Sequence, residues 1–141
     1  MQMGMYTHLK VECVLKSEFI EVIQRFISNN YTWQKQDYPL INDWLIFLRE
    51  NNHAIIKTNF LIYKPYKHEA ILDDLEIFYD PTPSSGLTSK WGSYCELEEN
   101  VWKFTSRFKN YNDELEQFHK LVLSKFAEDI LEFTHELDTD L

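Results

Sequence analysis

Glycine and proline are scarce in this chain, three and four among 141 residues. That is too few for a collagen-like, low-complexity or disordered chain. Cysteine is scarcer still. Cys13 and Cys95 fall on separate predicted strands, and neither a disulfide framework nor a zinc site can be built from two such residues, so reduced, buried thiols suited to the cytosol are expected. No run of about eighteen apolar residues exists, which predicts no membrane-spanning helix. Met1-Gln2-Met3-Gly4-Met5 lacks the basic residues and apolar core of a signal peptide. Basic side chains are outnumbered 14 to 23, for a formal net charge of −9. Such a field repels phosphate backbones and favours solubility or a basic partner. What the chain does have is apolar mass, 44% of residues with 16% aromatic. A single domain over residues 1–141, burying roughly two-thirds of its unfolded surface, is expected.

The plan is clearest between Trp91 and Leu137. Ser93–Leu97 reads as a strand, Glu98-Glu99-Asn100 as a tight reversal, and Val101–Lys109 as a second strand. In the latter, Trp102, Phe104, Ser106 and Phe108 share one face, and Val101, Lys103, Thr105 and Arg107 the other. Asn110 or Asn112 is placed to cap a following helix, with Asp113 and Glu114 in its first turn, where the helix dipole favours anions. Leu115, Phe118, Val122 and Phe126 recur at three- and four-residue steps along that helix, read as Asn112–Asp129. The chain returns as a strand over Ile130–Leu137.

The other end mirrors this. Tyr6–Leu15 alternates, with Leu9, Val11, Cys13 and Leu15 on one face and His8, Lys10, Glu12 and Val14 on the other. Ser17 is the expected cap of a helix whose buried stripe is Phe19, Ile20, Ile23, Phe26 and Ile27, ending at Ser28-Asn29-Asn30. In the middle, Pro39 precedes Trp44-Leu45-Ile46-Phe47-Leu48, a continuous bulky run that reads as a strand. Asn51-Asn52 reads as a turn, Ala54–Tyr63 as another strand, and Lys67–Tyr79 as a short inserted helix carrying Ile71, Leu75 and Phe78. Asp80–Gly86 is a loop by every local signal. The fold class is therefore α+β: an antiparallel sheet with two main helices on one face, ferredoxin-like (split β-α-β) in outline, with extra central strands and neighbouring first and last strands.

Met3-Gly4-Met5-Tyr6-Thr7, followed by an alternating strand and a helix, resembles small uncharacterised phage and prophage proteins that begin Met-Gly-Met-Tyr-Thr. Lys103–Phe118, with its Lys109-Asn110-Tyr111 pivot and acidic helix start, is similar to the same group. The two segments cover about a quarter of the chain, with Lys67–Tyr79 an insertion relative to the group. The resemblance implies a phage or mobile-element origin and a place in the host cytoplasm. It implies no functional residues.

Chemical motifs are absent where they would need to be complete. His68-Glu69-Ala70-Ile71-Leu72 begins like a zinc-protease helix, but Leu72 stands where the second imidazole must be. His8 and His135 sit on neighbouring strands with opposite parity, and His53 and His119 lack ligand company. Ser84, Ser85, Thr88 and Ser89 lie in a loop without a strand-to-helix elbow, and Gly86 alone cannot cradle a phosphate. Asp73, Asp74 and Glu76 read as a solvated helix face. No catalytic, cofactor or metal residue is therefore assigned.

Two surfaces remain. Trp102, Phe104 and Phe108 could stack nucleobases if exposed, yet core packing suits them better, and the acidic balance opposes nucleic acid. Glu128, Asp129, Glu132, Glu136, Asp138 and Asp140 form a terminal run with no lysine or arginine. The expectation is a non-enzymatic binding protein of the host cytoplasm. It would need no cofactor and would modulate a host or phage protein with a basic surface through Glu132, Glu136 and Asp138. An enzyme with a pocket near Asp80–Ser89, or a single-strand nucleic-acid binder using the aromatic face, are the alternatives.

Overall fold

The computed structural model describes residues 6–50, 62–63, 77–78, 89–108 and 113–137, the side chains of 48–49, 62–63 and 77–78 excepted. In chain order the elements are β1 (Thr7–Leu15), α1 (Ser17–Ser28), a 3₁₀ turn (Lys35–Ile41), α2 (Asn42–Glu50), β2 (Ile62–Tyr63), β3 (Ile77–Phe78), β4 (Cys95–Glu98) and β5 (Val101–Phe108). A composite helix, α3 (114–126), follows: α-helical over Glu114–Phe118, π-helical over His119–Leu123 and α-helical again over Ser124–Phe126. The last element is β6 (Ala127–Leu137).

Four strands make one antiparallel sheet in the order β4-β5-β1-β6. The first and last strands are neighbours, as their patterning predicts. Alternation decides which face is buried. Leu9, Val11, Cys13 and Leu15 of β1 are fully enclosed, and the β5 partners on the same face are Ser106, Phe104 and Trp102. The helices supply the opposing layer. Phe19 stacks on Phe126 at 4.2 Å between ring centroids, Phe118 meets Phe104 edge-on at 5.8 Å, and Trp33 packs against both Phe26 and Phe126. Each such aliphatic or aromatic side chain contributes about 1.5–3 kcal/mol by leaving water. The core is therefore one helix-on-sheet layer, and the other sheet face is polar.

Several expectations need correction. Trp44–Leu48 is helical, not a strand: Ile41, Trp44 and Leu45 are buried at helical spacing while Ile46 is exposed. The unbroken apolar run hid that stripe, because its first member, Ile41, lies before the run. Ser17 is the first helical residue and not the cap. Lys16 takes that position with extended backbone and no side-chain cap bond, held by its N–H to the Phe126 carbonyl at 2.9 Å. Val22 belongs to the buried stripe, whereas Ile20 and Ile27 are only half-buried. Asp113, with φ of +62°, occupies the cap position of α3 without a side-chain bond; Asn110 and Asn112 lie outside the described residues.

Ile77 and Phe78 are strand rather than helix and pair with Ile62 and Tyr63 in a separate two-stranded sheet. Among the described residues, the central strands therefore form a sheet of their own and do not extend the main one. The rest of the expected strand Ala54–Tyr63 and helix Lys67–Tyr79 lies outside the described residues, as do the Asn51-Asn52 turn and the Asp80–Gly86 loop. The β4–β5 reversal is a two-residue turn, Glu99-Asn100, with Glu99 at φ +58°. Such tight hairpin turns require left-handed backbone.

β6 begins three residues earlier than its pattern implied, so Glu128 and Asp129 are strand residues. It carries two bulges. Glu12 pairs with Glu132 but Cys13 with Ile130, leaving Leu131 as an extra residue. Val14 pairs with Asp129 but Leu15 with Ala127, leaving Glu128 as another. Each bulge reverses the parity beyond it. The β6 residues on the core side are consequently His135, Phe133, Ile130 and Ala127, and Leu131, expected beside His135 and Phe133, is instead 54% exposed. The π-helical turn has a comparable effect in α3. Its wide turn, with the Ser124 hydroxyl donating to the His119 carbonyl at 2.9 Å, lets both Val122 and Leu123 face the sheet.

Candidate functional site

The polar face of the sheet is a ladder of alternating charge. Glu12 of β1 stands opposite Glu132 of β6, a like-charge pair that would destabilise the sheet unless compensated. Lysines compensate it from both sides. Lys103 reaches Glu12 at 3.7 Å and Glu98 at 3.3 Å, and Lys10 reaches Glu132 at 3.6 Å. The Glu98 hydrogen bond, then the nearby carboxylates, raise the Lys103 pKa above its ordinary value. Lys103 thus meets Glu12, its cross-strand partner on β1. Arg107 lies over the Tyr6 ring, 5.0 Å from its centroid.

At one end this face is covered. Ser89–Gly92 closes a tight turn: the Gly92 N–H donates to the Ser89 carbonyl at 3.0 Å, and the Ser89 hydroxyl donates to the Gly92 carbonyl at 2.7 Å. Gly92 has φ of +93°, a backbone region that side chains disfavour. The turn is fastened to three strands. The Lys90 N–H donates to His8 Nδ1 on β1 at 2.9 Å, the Thr105 hydroxyl on β5 donates to the Gly92 carbonyl at 2.9 Å, and Lys90 Nζ meets Glu136 on β6 at 2.9 Å. His8 and Thr105, on the polar parity, are therefore buried. Trp91 approaches His8 edge-on at 6.3 Å and lies under Lys90 Nζ at 5.6 Å. The Tyr94 phenol nearby is pushed above its ordinary pKa, chiefly by burial.

Of the three residues expected to bind a partner, Glu132 and Glu136 share the polar face of β6 and each already holds a lysine, Lys10 and Lys90. Glu132 also accepts from the Thr134 hydroxyl at 3.0 Å. Asp138 lies outside the described residues. Glu128 and Asp129 are exposed on the same strand. The structure thus lays the carboxylates in a row along an edge and does not gather them into a pocket.

Other candidates fall away. Trp102 and Phe104 are fully buried and Phe108 is 9% exposed, so the aromatic stripe is core and offers no stacking platform. His8 and His135 face opposite sides of the sheet, as their strand partners require. Both cysteines are free and buried, and burial pushes each thiol up to about 12, which removes the thiolate needed for nucleophilic or metal chemistry. No group of three histidine, cysteine or acidic side chains among the described residues could hold a metal ion, and no helix among them is long and apolar enough to cross a membrane. Of the Asp80–Ser89 loop only Ser89 is described, and it is a turn residue.

Two buried polar features were not legible in the sequence. Asp37, in the 3₁₀ turn, accepts from Arg25 Nε at 2.9 Å and Nη2 at 2.6 Å. This forked pair ties α1 to the 3₁₀ turn, and the Asp37 bond raises the Arg25 pKa. The His8–Lys90 bond spans 82 residues in sequence, and nothing local announces it; only the Ser-Lys-Trp-Gly spelling of the turn was available. No family model, curated protein or solved structure matches this chain.

Proposed function

We propose that the chain is a non-enzymatic, phage-derived protein of the host cytoplasm that modulates a host or phage protein bearing a basic surface, and that β6 presents its binding edge. The observation that carries this reading is the composition of that strand. Glu128, Asp129, Glu132 and Glu136 lie along it with no lysine or arginine among its residues, beside exposed Leu131 and Leu137. Acidic side chains would steer a basic partner to this edge, and the leucines would add apolar contact once it arrives. The lysines already beside Glu132 and Glu136 form a half-exposed and an exposed pair, which cost an incoming cation little to displace. The ferredoxin-like outline belongs to the same reading, supported by the strand order β4-β5-β1-β6 and by helices after the first strand and before the last.

The test is affinity capture from host lysate at low ionic strength, using the wild-type chain and a Glu132→Lys/Glu136→Lys/Asp138→Lys variant. A basic protein retained by the wild type, with slower association to the variant and a weaker salt dependence, is the expected result. Equal capture by both proteins, or capture of no protein by either, refutes the reading.

A further inference from the structure

We propose that His8 is a proton-operated latch: its neutral imidazole holds the 89–92 turn against the polar face of the sheet, and its protonation releases that turn. The proposal stands independently of any partner for β6.

The chemistry follows from the direction of one hydrogen bond. The donor is the Lys90 backbone N–H and the acceptor is His8 Nδ1, at 2.9 Å. A nitrogen that accepts carries no proton, so the neutral ring holds its hydrogen on Nε2. Protonation makes both ring nitrogens donors. An N–H would then point at the Lys90 N–H, and the peptide donor would lose its acceptor at a part-buried site where His8 itself is only 8% exposed. Histidine makes this change within the physiological pH range.

The surrounding charges add to the effect. Among the described residues, the groups facing His8 are Arg107, its partner on β5, Glu136, its partner on β6, and Lys90 of the turn. Lys90 Nζ already occupies Glu136 at 2.9 Å. An imidazolium would therefore compete with Lys90 for Glu136 while standing beside a second cation, Arg107. Drawing Glu136 toward His8 takes it from Lys90 and loosens the turn further. The Thr105–Gly92 bond at 2.9 Å would still anchor the turn to β5. Release would uncover Trp91 and Thr105 and part the Glu136 carboxylate from Lys90.

The experiment is amide hydrogen exchange on the full chain between about pH 5 and 8, expressed as protection factors so that intrinsic exchange chemistry cancels, with ¹⁵N shifts reporting the His8 tautomer in parallel. The expected result is a Lys90 amide protected at neutral pH, a protonated Nε2, and at least a tenfold loss of Lys90 protection that tracks the His8 titration. His8→Asn supplies an oxygen the same number of bonds from the backbone but does not titrate, so its Lys90 protection should be independent of pH in this range. Protection that stays constant while His8 titrates would overturn the latch. So would a neutral-pH tautomer with the proton on Nδ1, or a pH dependence that persists in His8→Asn and disappears in Glu136→Gln. The wild-type tautomer and titration are read without any substitution, so poor folding of a variant leaves the proposal decidable.

Discussion

Phe104→Ala is the sharpest perturbation of the core. Phe104 is fully buried on β5, tilted against Trp102 at 4.6 Å between centroids and meeting Phe118 edge-on at 5.8 Å. Val11 and Cys95 are its partners on the flanking strands. Truncation removes the ring from a site whose walls come from two strands and a helix, so the surroundings cannot collapse to fill it. The usual cost of such a deletion is roughly 3–5 kcal/mol. For 141 residues the unfolding entropy is about 0.3 kcal/mol/K, so the thermal midpoint should fall by about 10–17 °C. Thermal and urea unfolding followed by near-ultraviolet circular dichroism measure this, with Lys103→Ala, on the opposite parity, as the control that loses only its half-exposed ion pairs, about 1 kcal/mol or less. A Phe104→Ala protein that unfolds at the wild-type midpoint, yet loses binding to single-stranded RNA, would show that the ring is exposed and would sink the packing argument.

Other outcomes follow from the same geometry. Below pH 9 both thiols are neutral whether the chain is folded or not; above it the unfolded chain ionises first, because burial holds Cys13 and Cys95 up to about 12. Stability should therefore fall between about pH 9 and 12, by up to about 1.4 kcal/mol per pH unit for each thiol, and a Cys13→Ala/Cys95→Ala protein with the same alkaline slope would refute this. Asp37→Asn should lower the urea midpoint without changing the slope, and the loss should shrink when Arg25→Gln is already present, since the two act as a pair; strict additivity would count against the forked ion pair. EDTA should leave the thermal midpoint unchanged, and a drop restored by zinc would reveal a site that the described residues do not form.

The parts of the fold that the sequence announced are those fixed by local periodicity. The apolar residues of β1 and β5 alternate, and Leu115, Phe118, Val122 and Phe126 trace one helical stripe, so the core side of each could be assigned from spacing, though not the burial of His8 and Thr105 under the turn or of Leu123 at the π turn. The errors share a cause in features that disturb a period. The stripe of α2 is led by Ile41 at the end of the 3₁₀ turn, before the continuous apolar run, and Ile46 within that run is exposed. In β6 two inserted residues reset the alternation, which no count along the strand can foresee. The candidate site was less legible. Glu132 and Glu136 stood out as acidic residues, but their lysine partners come from β1 and from the 89–92 turn. His8 acquires its role from a peptide group 82 positions away.

The bulges of β6 bear on how these molecules behave when crowded together. Among the described residues β6 has a strand neighbour on one side only, and an open edge eleven residues long would ordinarily template the addition of further strands. An incoming strand of regular repeat would fall out of step twice, at Leu131 and at Glu128. It would also bring its chain against a row of carboxylates, and a second copy of β6 would bring the same charge. Excising Leu131 would restore the alternation over Ile130–Leu137 and, with it, an uninterrupted row of backbone donors and acceptors. A shortened chain of this kind should add to itself at high salt, where the carboxylates no longer keep copies apart.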